Sequence, residues 1–260
     1  MRTTGEDRAQ RAAAILWHRW QDRSPGGALP KEIRPATVSD AWAVQSALTE
    51  LAGPRIGWKV AASSAAGQLH IGVAGPLAGP LVAGGLRGPG GSVPLTSMAS
   101  AEPEIAFRLG ADLPASGRPY ERATILAAVA EAIPAIEVPD SRYIDVPTAG
   151  AAQLVADLAC AAYVVLGEPI PRWSLGELKD RQVVMRINGK IASEGFGADA
   201  LGDPCDALVW LVDAVTRHGS GLLAGEVVIT GAAAPPRSVR SGDVVTAEIE
   251  GAAPVTATIS

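Results

Sequence analysis

Ser100-Ala101-Glu102-Pro103-Glu104-Ile105-Ala106-Phe107-Arg108-Leu109 is the stretch on which the reading of the fold turns. Its residues alternate, with Glu102, Glu104, Ala106 and Arg108 on one face and Ile105, Phe107 and Leu109 on the other, which predicts a β-strand. Side chains two apart share a strand face, with Cα atoms about 7 Å apart. Glu102 and Glu104 therefore stand side by side, and like charges that close repel unless one is protonated or a cation lies between them. Pro103 cannot donate to a ladder, so a strand end or edge is expected here. A solvated acidic edge is the plain alternative, weakened by the hydrophobic run that follows.

A second carboxylate stands out in Ile133-Pro134-Ala135-Ile136-Glu137-Val138-Pro139, where Ala135–Val138 reads as a buried strand. Glutamate is rarely buried without a partner. Glu137 has three readings: a buried ion pair with an arginine such as Arg142, an exposed face, or metal ligation. Three carboxylates with no His or Cys in the motif are hard donors that favour Mg²⁺ or Mn²⁺ over zinc. Three carboxylates and one divalent ion leave a charge of −1, so a nearby cation would help. Lys59, in a predicted strand over Gly57–Ala62, is the candidate; an ordinary snorkelling lysine is the alternative.

Outward from these blocks, Glu6–Arg23 reads as an amphipathic helix with Ala12, Leu16 and Trp20 on one side. A second helix begins near Thr37, where Thr37 and Asp40 form a capping pair, and ends at Gly53-Pro54. These two helices predict an N-terminal helical cap over residues 1–54, followed by a catalytic β domain over 55–260. Gln68–Pro94 reads as a glycine-rich loop system and Glu121–Ala132 as a helix. Ala151–Val165 starts helical and ends as a strand. Val183–Ile187 and Lys190–Ser193 flank Asn188-Gly189 as a hairpin. Asp203-Pro204 starts the clearest helix, ending at His218-Gly219. Gly225–Thr230, Val244–Ile249 and Val255–Ile259 read as strands. Strands and helices do not alternate regularly, so the fold class is α+β.

The chain has 260 residues, 48% of them hydrophobic but only 4% aromatic, so a large core must be built from Ala, Val, Leu and Ile. Its 29 Gly and 20 Pro imply many turns and short elements. A net charge of −5 without a basic block argues against a nucleic-acid partner. Cys160 and Cys205 read as small buried thiols in helix-like contexts. The start, MRTTGEDRAQR, lacks the apolar segment of a signal peptide, and no uncharged run of about 18 apolar residues occurs. A soluble cytoplasmic protein is expected, without a membrane partner. His18 and His218 suit structural roles on helices; His70 sits in the glycine-rich region. No phosphate loop, nucleophile elbow or dinucleotide fingerprint is present.

Taken in order, several blocks resemble the 2-keto-4-pentenoate hydratase group of the fumarylacetoacetate hydrolase superfamily. They are Gly57-Trp58-Lys59-Val60, Ala101-Glu102-Pro103-Glu104-Ile105, Ala135-Ile136-Glu137-Val138-Pro139-Asp140-Ser141-Arg142, Gly197–Pro204, Gly225–Gly231 and Gly242-Asp243. The resemblance implies a mixed β roll with flanking helices in a homo-oligomer active in aromatic-compound catabolism. It implies that Glu102, Glu104 and Glu137 bind Mg²⁺ or Mn²⁺, which would hold a small 2-oxo acid or dienol substrate. Lys59 would stand near the substrate oxygen as an electrostatic or proton-relay group.

The chain also departs from that group. Related hydratases carry Pro-Asp-x-Gly where this sequence has Pro76-Leu77-Ala78-Gly79, and Ala-Asp-Asn-x-Ser where it has Ala156-Asp157-Leu158-Ala159-Cys160. Hydration of a 2-hydroxypenta-2,4-dienoate-like substrate to a 4-hydroxy-2-oxo acid would then rely on Lys59, Asp157 or a metal-bound water. The alternatives are a 2-oxo diacid decarboxylase of 4-oxalocrotonate type, an acylpyruvate hydrolase, and a non-enzymatic 2-oxo-acid-binding paralogue.

Overall fold

The computed structural model describes residues 5–171 and 173–260; Met1–Thr4, part of the start read for a leader, lie outside the described residues. Helix α1 (Gly5–Gln21) follows from its apolar stripe, and helix α2 (Val38–Ala52) from its apolar stripe and caps. The Thr37 hydroxyl accepts the Asp40 N–H at 3.0 Å while Asp40 accepts the Thr37 N–H at 3.0 Å, the capping box expected. Ala12, Leu16, Val44 and Leu48 are buried in one core with Leu81, Ala106, Val227 and Ile229, so both helices lie against the sheet described next. Among the described residues, no helix is long and apolar enough to cross a membrane.

In chain order the remaining elements are β1 (Arg55–Ala61), α3 (Ala65–Ile71), β2 (Leu77–Val82), β3 (Leu86–Arg87), β4 (Ser92–Val93) and β5 (Ser100–Leu109). Then come α4 (Arg122–Ala127), β6 (Val129–Val138), α5 (Val146–Ala149), α6 (Ala151–Ala156), β7 (Tyr163–Leu166), β8 (Gln182–Ile187) and β9 (Lys190–Phe196). Last are α7 (Pro204–Arg217), β10 (Val227–Ala232), β11 (Arg237–Ser238), β12 (Val244–Ile249) and β13 (Val255–Ile259). An eight-stranded sheet runs β2-β1-β10-β5-β6-β7-β3, with β11 added to β5, and a five-stranded sheet runs β4-β13-β12-β8-β9. Parallel pairs (β1 with β10, β3 with β7, β13 with β4) sit among antiparallel ones. Ile136, Val138 and Val165 meet Met185, Val245, Ala247 and Ile259 in a core between the two sheets. Helix α7 buries Leu208, Leu211 and Val215 with Trp58, Phe107 and Val228. The mixed α+β roll expected from the sequence is what forms. Gly57 is required by closeness: a Cβ there would meet the Val227 carbonyl oxygen at 1.9 Å across the β1–β10 pairing.

Three expectations need correction. Gln68–Pro94 is not simply a loop system: Leu77–Val82 is a strand with all six residues buried, paired antiparallel with β1. Strand β5 is not an edge but lies between β10 and β6. Pro103 is tolerated because its carbonyl accepts the Ala233 N–H at 2.9 Å. Its missing N–H thus faces β10 where the register shifts between Ile229 and Ala232. The helix expected over Glu121–Ala132 stops at Ala127, and Val129 onward joins β6. There Glu131 lies opposite Arg108 and pairs with it at 2.9 Å, a cross-strand contact that overrides local helix preference.

Candidate metal and substrate site

Register places the carboxylates. Glu102 on β5 lies directly opposite Glu137 on β6, and Glu104 is two residues further along the same face. One oxygen from each of the three lies within 4.8 Å of the others. Lys59 stands on β1, three strands from β6 in the sheet order, about 14 Å if the sheet were flat. Its ammonium nevertheless pairs with Glu137 Oε1, so the sheet curls around the cluster. Lys59 is therefore no snorkelling residue, being 3% exposed, and Glu137 does not pair with Arg142.

The β10 bulge completes the cluster. Gly231, with φ 101°, donates its N–H to Glu104 Oε2 at 2.6 Å. A Cβ at this position would meet Ser63 Oγ at 2.1 Å, so glycine is needed for space as well as conformation. Thr230 Oγ1 donates to the Ile105 carbonyl at 2.8 Å, satisfying an acceptor that the bulge leaves open. In the block Gly225–Gly231, neither Thr230 nor Gly231 is marked by residue type as part of the site; the glycine within a strand pattern is the available signal.

The electrostatics are unbalanced. Burial and the Glu137 charge push Glu102 up to about 7 against the pull of Lys59. Burial, with Glu137 and Glu102, pushes Glu104 well above the carboxylate range, against Lys59 and the Gly231 N–H. Burial pulls the Lys59 ammonium down, but Glu137, Glu102, Cys160 and Glu104 outweigh it and its pKa is raised. Glu104 Oε1 is buried with no hydrogen-bond partner. Three hard oxygen donors, repelling one another and with one oxygen orphaned, fit a divalent cation.

Around this cluster lie the departures noted in the sequence. Leu77 pairs with Ala61 and Gly79 with Lys59, so Leu77 is on the Lys59 face. Leu158, Ala159 and Cys160 form a left-handed turn, with φ 53°, 51° and 63°. That conformation costs about 1–2 kcal/mol for each L-residue. Burial and the Asp157 charge push the Cys160 thiol up to about 12, so it is protonated at neutral pH. Cys160 is buried in this turn and Cys205 near the start of α7, as free thiols.

Asp157 stands apart from the glutamates in a closed network. Arg142 Nε pairs with Asp157 Oδ1, while Ser141 Oγ and the Arg142 N–H donate to Oδ2 at 2.8 and 3.0 Å. Arg142 also donates to the carbonyls of Asp157 and, at 3.0 Å, Ala161, and Trp20 covers its guanidinium at 4.6 Å. The histidines do not join the carboxylates: His18 pairs with Asp22 at 3.2 Å, His70 is exposed on α3, and His218 stacks on Trp42 at 4.5 Å.

A curled mixed sheet carrying three inward carboxylates from adjacent strands also defines a known class. Residues 82–260 match the C-terminal domain of fumarylacetoacetate hydrolase, and the chain belongs to that family. Within it, the chain is similar to the 2-keto-4-pentenoate hydratase of Burkholderia vietnamiensis, 36% identical over 247 residues that span 92% of this chain and 89% of the relative. Its structure is similar to that of 4-oxalocrotonate decarboxylase from Pseudomonas putida G7 complexed with calcium and acetate, at 27% identity, TM-score 0.85 and 100% of both chains. The same decarboxylase complexed with magnesium and adipate matches at 26% identity and TM-score 0.81, over 96% of this chain and 97% of that one.

Proposed function

We propose that the chain is a divalent-metal-dependent hydratase, a hydro-lyase that converts 2-hydroxypenta-2,4-dienoate-like substrates into 4-hydroxy-2-oxo acids. The carrying observation is the cluster of Glu102, Glu104 and Glu137, three ligating oxygens within 4.8 Å of one another beside a buried ammonium. The similarity to a 2-keto-4-pentenoate hydratase supports the choice of reaction. Mg²⁺ or Mn²⁺ suits the donor set and, when bound, supplies a Lewis acid for the 2-oxo and carboxylate oxygens of the substrate.

The chain's own residues divide the remaining work. The three glutamates hold the cation. Lys59 keeps a positive charge beside them, offsets the negative charge of an incoming carboxylate, and would donate a hydrogen bond from Nζ to the substrate oxygen when that oxygen is a dienolate. Leu77 and the Leu158–Cys160 turn form a mostly apolar wall that limits water to the reacting end. Asp157 acts as a positioning residue: with its oxygens engaged, it fixes Arg142, which holds the carbonyls of Asp157 and Ala161 on either side of the turn. The reading extends to a cytoplasmic homo-oligomer in aromatic-compound catabolism.

One observation favours a second reading, decarboxylation of a related 2-oxo diacid. The wall beside Lys59 offers no free carboxylate, because Leu77 and Leu158 are apolar, Cys160 is protonated and Asp157 is tied to Arg142. A missing general acid or base costs about 10² to 10⁴ in rate for water addition, whereas loss of carbon dioxide needs only an electron sink. Incubation with dienols and 2-oxo diacids plus Mg²⁺, followed by NMR of the products, separates the two. A 4-hydroxy-2-oxo acid supports hydration; carbon dioxide without hydration supports decarboxylation. Full turnover in excess chelator would overturn both.

A further inference from the structure

A cavity of about 460 Å³ lies on the opposite face of β1 from the glutamates. Trp58 and Lys59 are neighbours in the strand, so their side chains point to opposite faces: Lys59 into the carboxylate cluster, Trp58 into the core beneath α7. The cavity is bounded by Trp42, Ser46 and Thr49 of α2, Arg55 and Trp58 of β1, and His218 after α7.

Its chemistry is specific. Trp42 and Trp58 meet with ring centroids 5.8 Å apart, and His218 lies flat on Trp42. Arg55 sits over the Trp58 ring at 4.9 Å. Its Nε pairs with Glu226 at 2.7 Å and its Nη2 donates to the Gly221 carbonyl at 3.0 Å. The Arg55 side chain is 25% exposed. The Trp58 indole N–H, on a side chain 3% exposed, has no acceptor. A buried donor left unpaired costs about 1–3 kcal/mol. The wall thus combines flat aromatic surface with a guanidinium and a buried indole N–H that lacks an acceptor. A carboxylate on a planar body supplies what it lacks.

We propose that this cavity is a second small-molecule site, which takes a compact planar carboxylate with its oxygens toward Arg55 and Trp58 and its flat face against the tryptophans. The site does not rest on the reaction assigned to the glutamate cluster, since the two lie on opposite faces of β1.

The test follows the indole N–H resonances of the full chain, metal-free, during titration with benzoate, with Trp58 assigned through Trp58→Phe. The expected result is a saturable shift of the Trp58 and Trp42 signals. The uncharged isostere benzamide should bind at least about tenfold more weakly, the size of one charge-assisted hydrogen bond. Ser46→Trp, which fills the cavity from an exposed position on α2, should abolish the response with the fold intact by circular dichroism. A Glu104→Gln, Glu137→Gln double variant should keep it in full. No saturation at millimolar benzoate, equal binding of benzamide, or a response lost in the double glutamine variant would each overturn the proposal. So would a Ser46→Trp change that dissociates an oligomer while the native chain ignores benzoate, which would give the cavity to a second copy of the chain.

Discussion

Two charged clusters are buried in this molecule, and they are built on opposite plans. Around Asp157, one carboxylate meets one guanidinium, and its oxygens accept from Arg142 Nε, the Arg142 N–H and Ser141. Around Glu137, three carboxylates share one ammonium, and Glu104 Oε1 has no partner. Both are buried, so burial does not mark the functional one. Incompleteness does: the first cluster matches one carboxylate to one guanidinium, whereas the second has more carboxylates than cations and an open acceptor. A structural ion pair must be closed to offset its desolvation; a ligand site must be left open until the ligand arrives.

The largest expected effect is on catalysis. Glu137→Ala should abolish turnover, a fall of at least about 10⁴-fold or about 5.5 kcal/mol, read as product formation at saturating Mg²⁺. The same variant, in chelator, should melt close to the parent: Lys59 loses its direct partner, but Glu102 and Glu104 remain near it and two of the three carboxylate repulsions are gone. A large loss of stability in chelator would erase the contrast between the clusters.

The converse holds for the closed cluster. Arg142→Leu leaves the Asp157 carboxylate buried without its counter-charge and should destabilise the chain by about 3–5 kcal/mol in urea titrations. Unchanged stability would mean that this network is dispensable to the fold.

Metal should reverse the pH response of stability. The folded pKa of Glu102, about 7, lies above its ordinary value of 4.5. Between those values Glu102 binds more protons in the folded state than in the unfolded one, so its contribution to metal-free stability is fullest below pH 4.5 and is lost as pH rises through about 7. Bound metal competes with those protons, so its affinity should rise over the same window. Mg²⁺ at a hundred times its Kd should add about 2.7 kcal/mol. Melting curves with Mg²⁺ and with chelator between pH 5 and 8 should diverge as pH rises; parallel curves would remove Glu102 from the site.

The smallest effect belongs to a solvated pair. Arg108 and Glu131 meet at 2.9 Å with each side chain 38% exposed, so Glu131→Ala should change stability by about 0.2–1 kcal/mol. A larger value would show that exposure is a poor divider between decorative and supporting charges.

Much of the open cluster was legible in the sequence because strand periodicity exposes it. Glu102 and Glu104 sit two apart, and Glu137 interrupts an apolar run. The terminal strands Val244–Ile249 and Val255–Ile259 appeared for the same reason, as did the hairpin whose Asn188 and Gly189 take φ 52° and 77°. Strand β2 was not legible: buried on both faces and carrying Gly79 and Pro80, it shows no alternation and resembles a loop. The left-handed turn at Leu158–Cys160 carries neither Gly nor Asn, so nothing local announces it. The closed cluster joins Arg142 to Asp157 from different elements, a partnership that only the fold reveals.

The direct opposition of Glu102 and Glu137 across β5 and β6 has a consequence for how the chain finds its structure. A slip of one residue in that pairing would turn Glu137 to the other face of the sheet and leave no three-carboxylate cluster. One-residue slips therefore cannot assemble the three oxygens that the proposed ion needs. If the glutamates hold a divalent cation as proposed, its binding free energy would be withheld from every one-residue slip, and the ion would act on the sheet as a proofreader of which face each strand turns inward.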